Sequence, residues 1–327
     1  TYVLHVVLPT GRPELSIEMP QLYNSYHLWA DAKLIASNGN VGSNSANTKP
    51  YWLPQTVGLP ATGDTVLLTL QVANYHHHTG GIREPILIGD TDALRTKRSW
   101  ELGTSLAQAC LLLMEGLAFI VLFLQERKKR MMLYFGLLCV TWALRALFSN
   151  LYVGVHLMPG LPWTLVVKTE YLTLFFAMIW SLLLVSQLFP ALTNKLIRNI
   201  LVIVNLVFAT ITLVTNPLTF TQWLNVYLAV VAIVIIYAVS IILRALLHDQ
   251  RGVWPLIASI LMGIVMFAYD LVAYKGVLPL NMLVLNIGYI AIFIFLTITL
   301  LIHLEVIKVE SSSTMLTYDD MYGKKDK

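Results

Sequence analysis

One stretch constrains this chain more than any other: Leu102 to Leu124, closed by Glu126-Arg127-Lys128-Lys129-Arg130. It is almost wholly apolar, and its ~23 residues at helical rise cross a hydrocarbon layer about 30 Å thick. Lys and Arg flanking a span bias their side toward the cytoplasm, so the residues before Leu102 are expected outside it. A single span thus divides the chain into an exported soluble part and a membrane part.

The rest of the composition follows that division. The chain is 57% hydrophobic and only 12% charged, an excess concentrated after residue 100 that marks an integral membrane protein. Six further spans are expected near 132–150, 167–189, 199–215, 223–244, 254–274 and 282–303, joined by short loops that make neighbours antiparallel. Orientation follows from counting basic residues. The segments assigned to the cytoplasm carry Arg127, Lys128, Lys129, Arg130, Lys195, Arg198, Arg244, Arg251, Lys308, Lys324, Lys325 and Lys327, whereas the opposite loops between spans carry Lys168 and Lys275. That asymmetry predicts the N-terminus outside, the C-terminus inside and an odd number of spans. The chain opens at Thr1 without a leader, so a cleaved export signal is expected.

Residues 1–95 read as β. Strands are expected over Tyr2–Leu8, Leu15–Met19, Val66–Val72 and Pro85–Ile88, with a hairpin over Tyr26–Ile35 turning at Asp31-Ala32. Ser37–Pro60 is rich in Asn, Ser, Gly and Pro and reads as loop. Short strands at this spacing predict a small sandwich. Residues 96–101 are expected to link it to the membrane part (102–305), and 306–327 to form a short cytoplasmic tail. The last helix is expected to run on to about Glu310 and to break at Ser311-Ser312-Ser313-Thr314. Cys110 and Cys139 fall at different depths of their spans, which argues against a disulfide.

Two runs carry a specific resemblance: Tyr26-His27-Leu28-Trp29-Ala30-Asp31-Ala32-Lys33-Leu34-Ile35-Ala36-Ser37-Asn38-Gly39-Asn40-Val41-Gly42, and Gln71-Val72-Ala73-Asn74-Tyr75-His76-His77-His78-Thr79-Gly80-Gly81-Ile82 closed by Gly89. Placed before a first span, they resemble the bacterial seven-transmembrane receptors with diverse intracellular signalling modules. The resemblance implies a jelly-roll domain on the periplasmic side, similar to a sugar-binding domain, joined to a seven-helix unit in the bacterial inner membrane. It also implies a carbohydrate-like ligand and an output module. The chain departs from that pattern in its Asp31-Ala32 turn, in a jelly roll expected to lack its first strands, and in the absence of an output module after the last span. A fragment or a receptor working through a protein partner is therefore expected. The alternative is a non-signalling subunit that docks a partner in a membrane assembly.

Ligand-binding candidates in the exported part are Trp29, Asn74, His76 and His78. Trp29 is a sugar-stacking aromatic or, as the leading reading, core. His76 and His78 would share a face if they lay in a strand, but no carboxylate or thiol stands near them in sequence. Turn packing therefore leads over a ligand contact or a metal pair. Asn74 is expected to cap that turn. In the membrane part, Glu115, Arg145, Glu170, Asp270, Asn225 and Asn286 form a polar set, most of it near the outer ends of the spans. It reads either as interhelical glue or as a ligand or coupling site. Arg145 is expected to pair with Asp270 or Glu170. No phosphate loop, zinc-protease motif or nucleophile elbow is present, and the last span holds no lysine for a retinal Schiff base. An enzyme, a cofactor, a metal and a nucleic-acid partner are accordingly not expected; the bilayer is the expected partner, together with another protein.

Overall fold

The computed structural model describes residues 1–305 except Tyr23, Ala61, Thr62 and Arg83. Seven strands come first: β1 (Tyr2–Val7), β2 (Leu15–Met19), β3 (Ser25–Ala30), β4 (Lys33–Asn38), β5 (Gln55–Gly58), β6 (Thr65–Ala73) and β7 (Leu87–Asp90). They form two antiparallel sheets, ordered β1-β6-β3-β4 and β5-β2-β7. The alternation expected of a sandwich is present. Tyr26, Leu28, Ala30, Val66, Leu68 and Leu70 of the larger sheet meet Ile17 and Met19 of the smaller one in a buried core.

The hairpin turns at Asp31-Ala32 as expected, but not as a type I′ turn, because Asp31 has a positive φ (53°) and Ala32 does not. A register shift at Leu28/Trp29 absorbs the mismatch. Asp31 is also tied to β6, its amide donating to Leu67 O (2.7 Å) and its Oδ1 accepting from Leu67 N (3.0 Å). Strand β5 lies inside the stretch that composition marked as loop. Its four residues lack a hydrophobic alternation, and pairing with β2 rather than propensity makes them a strand.

Among the described residues, seven helices are long and apolar enough to cross a membrane. They are α1 (Thr91–Gln125), α2 (Arg130–Phe148), α4 (Trp163–Leu188), α5 (Lys195–Val214), α7 (Leu224–Leu247), α8 (Val253–Tyr274) and α9 (Met282–His303); the short α3 (Val153–Leu157) and α6 (Pro217–Thr221) sit in connections. Every expected span has its helix. Segment 96–101, expected as a linker, is instead part of α1, which starts at Thr91 with Asp90 Oδ1 capping Ala93 N at 2.9 Å. The sandwich is thus joined to the first span by continuous helix. Glu18 on β2 fastens it further through an ion pair to Lys97 (2.7 Å), and Thr91 N donates to Glu14 O at 2.9 Å.

Helices α1 and α2 cross where Gly116 faces Gly136. A Cβ on either would lie 2.8 Å from the other's carbonyl oxygen, so only glycine permits this approach. Both cysteines are free, Cys110 exposed and Cys139 buried. At the far end α9 closes at His303, and Glu305 is left-handed (φ 61°), so the helix does not run on unbroken through Glu305. The expected continuation to Glu310, the Ser311–Thr314 break and the 306–327 tail lie outside the described residues.

Candidate functional site between the sandwich and the helix bundle

The site is built by the segment between β4 and β5. Gly39 adopts φ 67°, and a Cβ there would strike Lys49 O at 2.1 Å; a Cβ on Gly42 would come within 2.6 Å of the Asn47 backbone. With these close approaches the chain doubles back. Asn40 and Lys49 bridge, and Asn44 Oδ1 accepts from Ala46 N and Asn47 N, both at 3.0 Å. The folded-back segment delivers Tyr51-Trp52-Leu53 to the end of the helix bundle nearest the sandwich.

Trp52 is buried to 1% exposure among residues of both parts. Its ring lies 5.5 Å from His77 of the sandwich, 5.2 Å from Tyr152 and 5.6 Å from Trp163 of the bundle. It shares one hydrophobic cluster with Val166, Val167, Tyr171 and Phe220. Trp52 is therefore core to the bundle although it belongs to the sandwich.

The histidine run supports this plug. Residues 74–79 follow the end of β6 and are not strand, so the strand geometry that would put His76 and His78 on one face is not present. Asn74 Oδ1 accepts from Asn24 Nδ2 and from His77 N (3.2 Å), the turn cap expected of it. Its amide leaves no room for a side chain at Gly80. His76 Nε2 is bonded to Thr48 O (3.1 Å), and His78 N donates to Thr221 Oγ1 of α6 (3.1 Å). Among the described residues no group of three or more His, Cys, Asp or Glu could hold a metal ion. Trp29 is not core: Tyr26, Leu28 and Ala30 take the inner face of β3, and Trp29 stands half-buried on the outer face with its ring edge-on to His27 at 5.4 Å.

Beneath Trp52 lies a cavity of about 110 Å³, lined from the sandwich by Gln21, Trp52, His77 and Glu84 and from the bundle by Arg145, Tyr152, Glu170 and Asp270. It has room for several waters or a small polar group. Three of the six intramembrane candidates thus meet in one place. The expected ion pair does not form: among the described residues Arg145 has no carboxylate within 4.0 Å. Its Nη1 donates to the backbone oxygen of Glu170 at 3.3 Å, and the Glu84, Glu170 and Asp270 side chains line the same cavity. Tyr152 links plug to cluster. Its backbone is left-handed (φ 50°), rare for an aromatic residue. In that conformation its ring meets Trp52 while its hydroxyl donates to Glu170 Oε2 at 3.2 Å.

The other three candidates divide. Asn286 is buried, its Nδ2 donating to Thr104 Oγ1 and Ser105 Oγ (3.0 Å each), and it lines a smaller cavity with Arg145 and Asp270. Glu115 lies apart, accepting from Thr297 Oγ1 between α1 and α9. Asn225 is exposed and does not line the cavity. Sequence reasoning missed Trp52, Tyr152, His77, Gln21 and Glu84. A signal was present in Pro50-Tyr51-Trp52-Leu53-Pro54, an apolar, proline-flanked run inside an otherwise polar loop.

A family model described as 7TM diverse intracellular signalling matches residues 102–303, more than half of the chain. The chain belongs to that family. It is therefore a multi-pass membrane protein of a signalling receptor family, with a seven-strand β domain ahead of its seven helices. Neither the curated proteins nor the solved structures contain a match to it.

Glu84 gives this receptor a pH-sensitive contact outside the spans. Burial raises its carboxyl above the ordinary carboxylate range; Glu18 pushes the same way, and Lys97 opposes. A raised folded value means that Glu84 contributes stability fully below its unfolded value and loses it as pH rises through the folded one. Glu84→Gln should therefore raise the unfolding temperature at neutral pH and leave it nearly unchanged at a pH below the ordinary carboxylate value. A stabilisation of equal size at both pH values would show that ionisation of Glu84 is not its cause.

Proposed function

We propose that this receptor is a sensor of the bacterial inner membrane, with the sandwich in the periplasm and the C-terminus in the cytoplasm. The sandwich takes up a carbohydrate-like ligand, and its docking on the bundle passes occupancy to a protein partner or output module on the other side. The observation that carries this reading is Trp52, a sandwich residue seated in the bundle core. A ligand that shifts the sandwich must repack Tyr152 and the Arg145–Glu170–Asp270 cavity, which is the differential contact a two-state receptor requires.

For the ligand, an open groove of about 740 Å³ is lined by Arg12, Glu14, Lys33, Leu34 and Arg95. Trp29 does not line it but pairs in register with Leu34, which does. Polar walls with an adjoining aromatic suit a saccharide. Of the four sandwich candidates, this reading assigns stacking to Trp29, while Asn74, His76 and His78 hold the turn beside Trp52.

Orientation and sensing are separable in experiment. In a Cys110→Ala/Cys139→Ala background, Ser45→Cys should react with an impermeant thiol reagent applied from the periplasm, and Lys128→Cys should not; the reverse pattern would invert the topology. A glycan array probed with the purified protein should identify a binder. That saccharide should change hydrogen exchange both in 47–54 and in 148–157. Binding that leaves the second segment unchanged would refute the coupling, and an array without a binder would refute the carbohydrate ligand.

A further inference from the structure

Below the polar cavity the bundle forms a second, partly open chamber of different chemistry. It measures about 190 Å³ and is lined by α2, α4, α7, α8 and α9. Its walls are aliphatic and aromatic apart from Ser181, Ser259 and the polar edges of Trp142 and Tyr289, and the Ser259 hydroxyl is already donated to Ile292 O at 3.2 Å. An apolar cavity of about 150 Å³ stays dry and takes hydrocarbon ligands, so water is not the natural filling of this larger one. The chamber is long: its α8 wall alone, from Leu256 to Phe267, spans about 16 Å at helical rise.

Its roof is shared with the polar site. Phe267 lines both the chamber and the cavity of Glu84, Arg145, Glu170 and Asp270. Trp142 and Tyr289, in edge contact at 5.1 Å, line both the chamber and the smaller cavity of Arg145, Asp270 and Asn286. A narrow apolar shaft thus lies directly under a polar head space. Side access exists as well. Helix α7 meets α8 much less extensively than α8 meets α9, and Ile233 and Ile236 of α7 and Leu261 and Val265 of α8 are exposed.

We infer that the bundle binds a single-chain amphiphile from the bilayer, its acyl chain in the chamber and its polar head in the cavity beneath Trp52. A volume of about 190 Å³ suits one acyl chain rather than two. Three carboxyl groups outnumber the one guanidinium in the head space, which selects an uncharged or cationic head rich in hydrogen-bond donors. This inference rests on the two cavities and not on saccharide sensing by the sandwich. A bound chain would hold apart the helices that line the chamber, so the amphiphile acts as a second input to the same bundle.

The test uses the full chain in nanodiscs, with a monoacylglycerol that carries a diazirine in its acyl chain. Ultraviolet crosslinking should place label on chamber residues such as Phe267, Ile292 and Phe293. A Cβ at Gly263 has only Ile292 Cδ1 near it, at 4.0 Å, so Gly263→Phe directs a ring into the empty space; Ala238→Phe does the same from α7. Whichever variant keeps the wild-type unfolding temperature should lose chamber labelling by roughly tenfold or more. Labelling confined to the outward-facing Leu261 and Val265, or unchanged in the folded variant, would overturn the proposal. Chamber labelling by a photoreactive diacyl phospholipid in place of the monoacylglycerol would also overturn it, as would stronger labelling by the corresponding fatty acid.

Discussion

Trp52→Ala should release the sandwich from the helix bundle while leaving both folded. Removing a buried tryptophan costs about 3–5 kcal/mol through lost transfer energy and the cavity left behind. Here that loss falls on the junction, because the ring touches His77 on one side and Tyr152 and Trp163 on the other. The remaining ties are the flanking apolar contacts of Tyr51 and Leu53, the His76–Trp163 ring contact, and polar links: Lys97 with Glu18, Arg98 Nη2 to Pro54 O at 3.0 Å, and His78 N to Thr221. Single polar links of this kind contribute about 0.5–1.5 kcal/mol each, less than the buried indole. Hydrogen exchange should therefore rise across 47–54 and at Val153–Leu157, and thermal unfolding should separate into two transitions. Trp52→Phe should retain part of the docking. Trp29→Ala is the control, since that ring lies on the outer sheet face and its loss should cost about 0.5 kcal/mol. Equal effects of Trp52→Ala and Trp29→Ala on the junction would show that the plug does not hold the two parts together.

How much of this was legible in the sequence depends on the range of the interaction. Hydropathy located all seven spans, because in hydrocarbon each helix must satisfy its own backbone and bury a long apolar run, and both demands are written locally. Strand alternation located the sandwich core for the same reason. What escaped was set by contacts between distant segments. Strand β5 exists because β2 pairs with it. Trp29 was assigned to the core on its residue type, whereas the phase of β3, fixed by Tyr26 and Leu28, turns it outward. Trp52 was hidden in a loop because nothing local says that a folded-back segment will be driven into another part of the chain. The polar residues of the spans were found by their cost in the membrane, but their grouping was only half legible. Arg145, Glu170 and Asp270 converge because three helices end together beneath the sandwich, while Asn225, at a comparable depth, lies on an exposed face.

The cavity itself yields the second large effect. Arg145→Met should cost about 1–3 kcal/mol of stability, the penalty for taking the cation away from half-buried acidic groups and a backbone oxygen. The arginine makes no direct ion pair, so the loss comes from two sources: the guanidinium's field across the cavity and its hydrogen bond to Glu170 O at 3.3 Å. The first can be restored by removing an acidic charge from the same cavity. Arg145→Met with Asp270→Asn, or with Glu170→Gln, should recover part of the loss, with a coupling of about 0.5–3 kcal/mol in a double-mutant cycle. Asp270→Asn should show the larger recovery, because Glu170 also accepts from Tyr152 and its replacement weakens the link to Trp52. Glu115→Gln serves as the distant reference. Its carboxylate is held by Thr297 and does not line the cavity, so its effect should add to that of Arg145→Met within about 0.5 kcal/mol. Thermal unfolding of each variant in one detergent measures every corner of these cycles. If the Asp270 and Glu170 cycles are as additive as the Glu115 cycle, the three residues share a cavity without sharing energy, and the cluster is not the element through which the sandwich addresses the bundle.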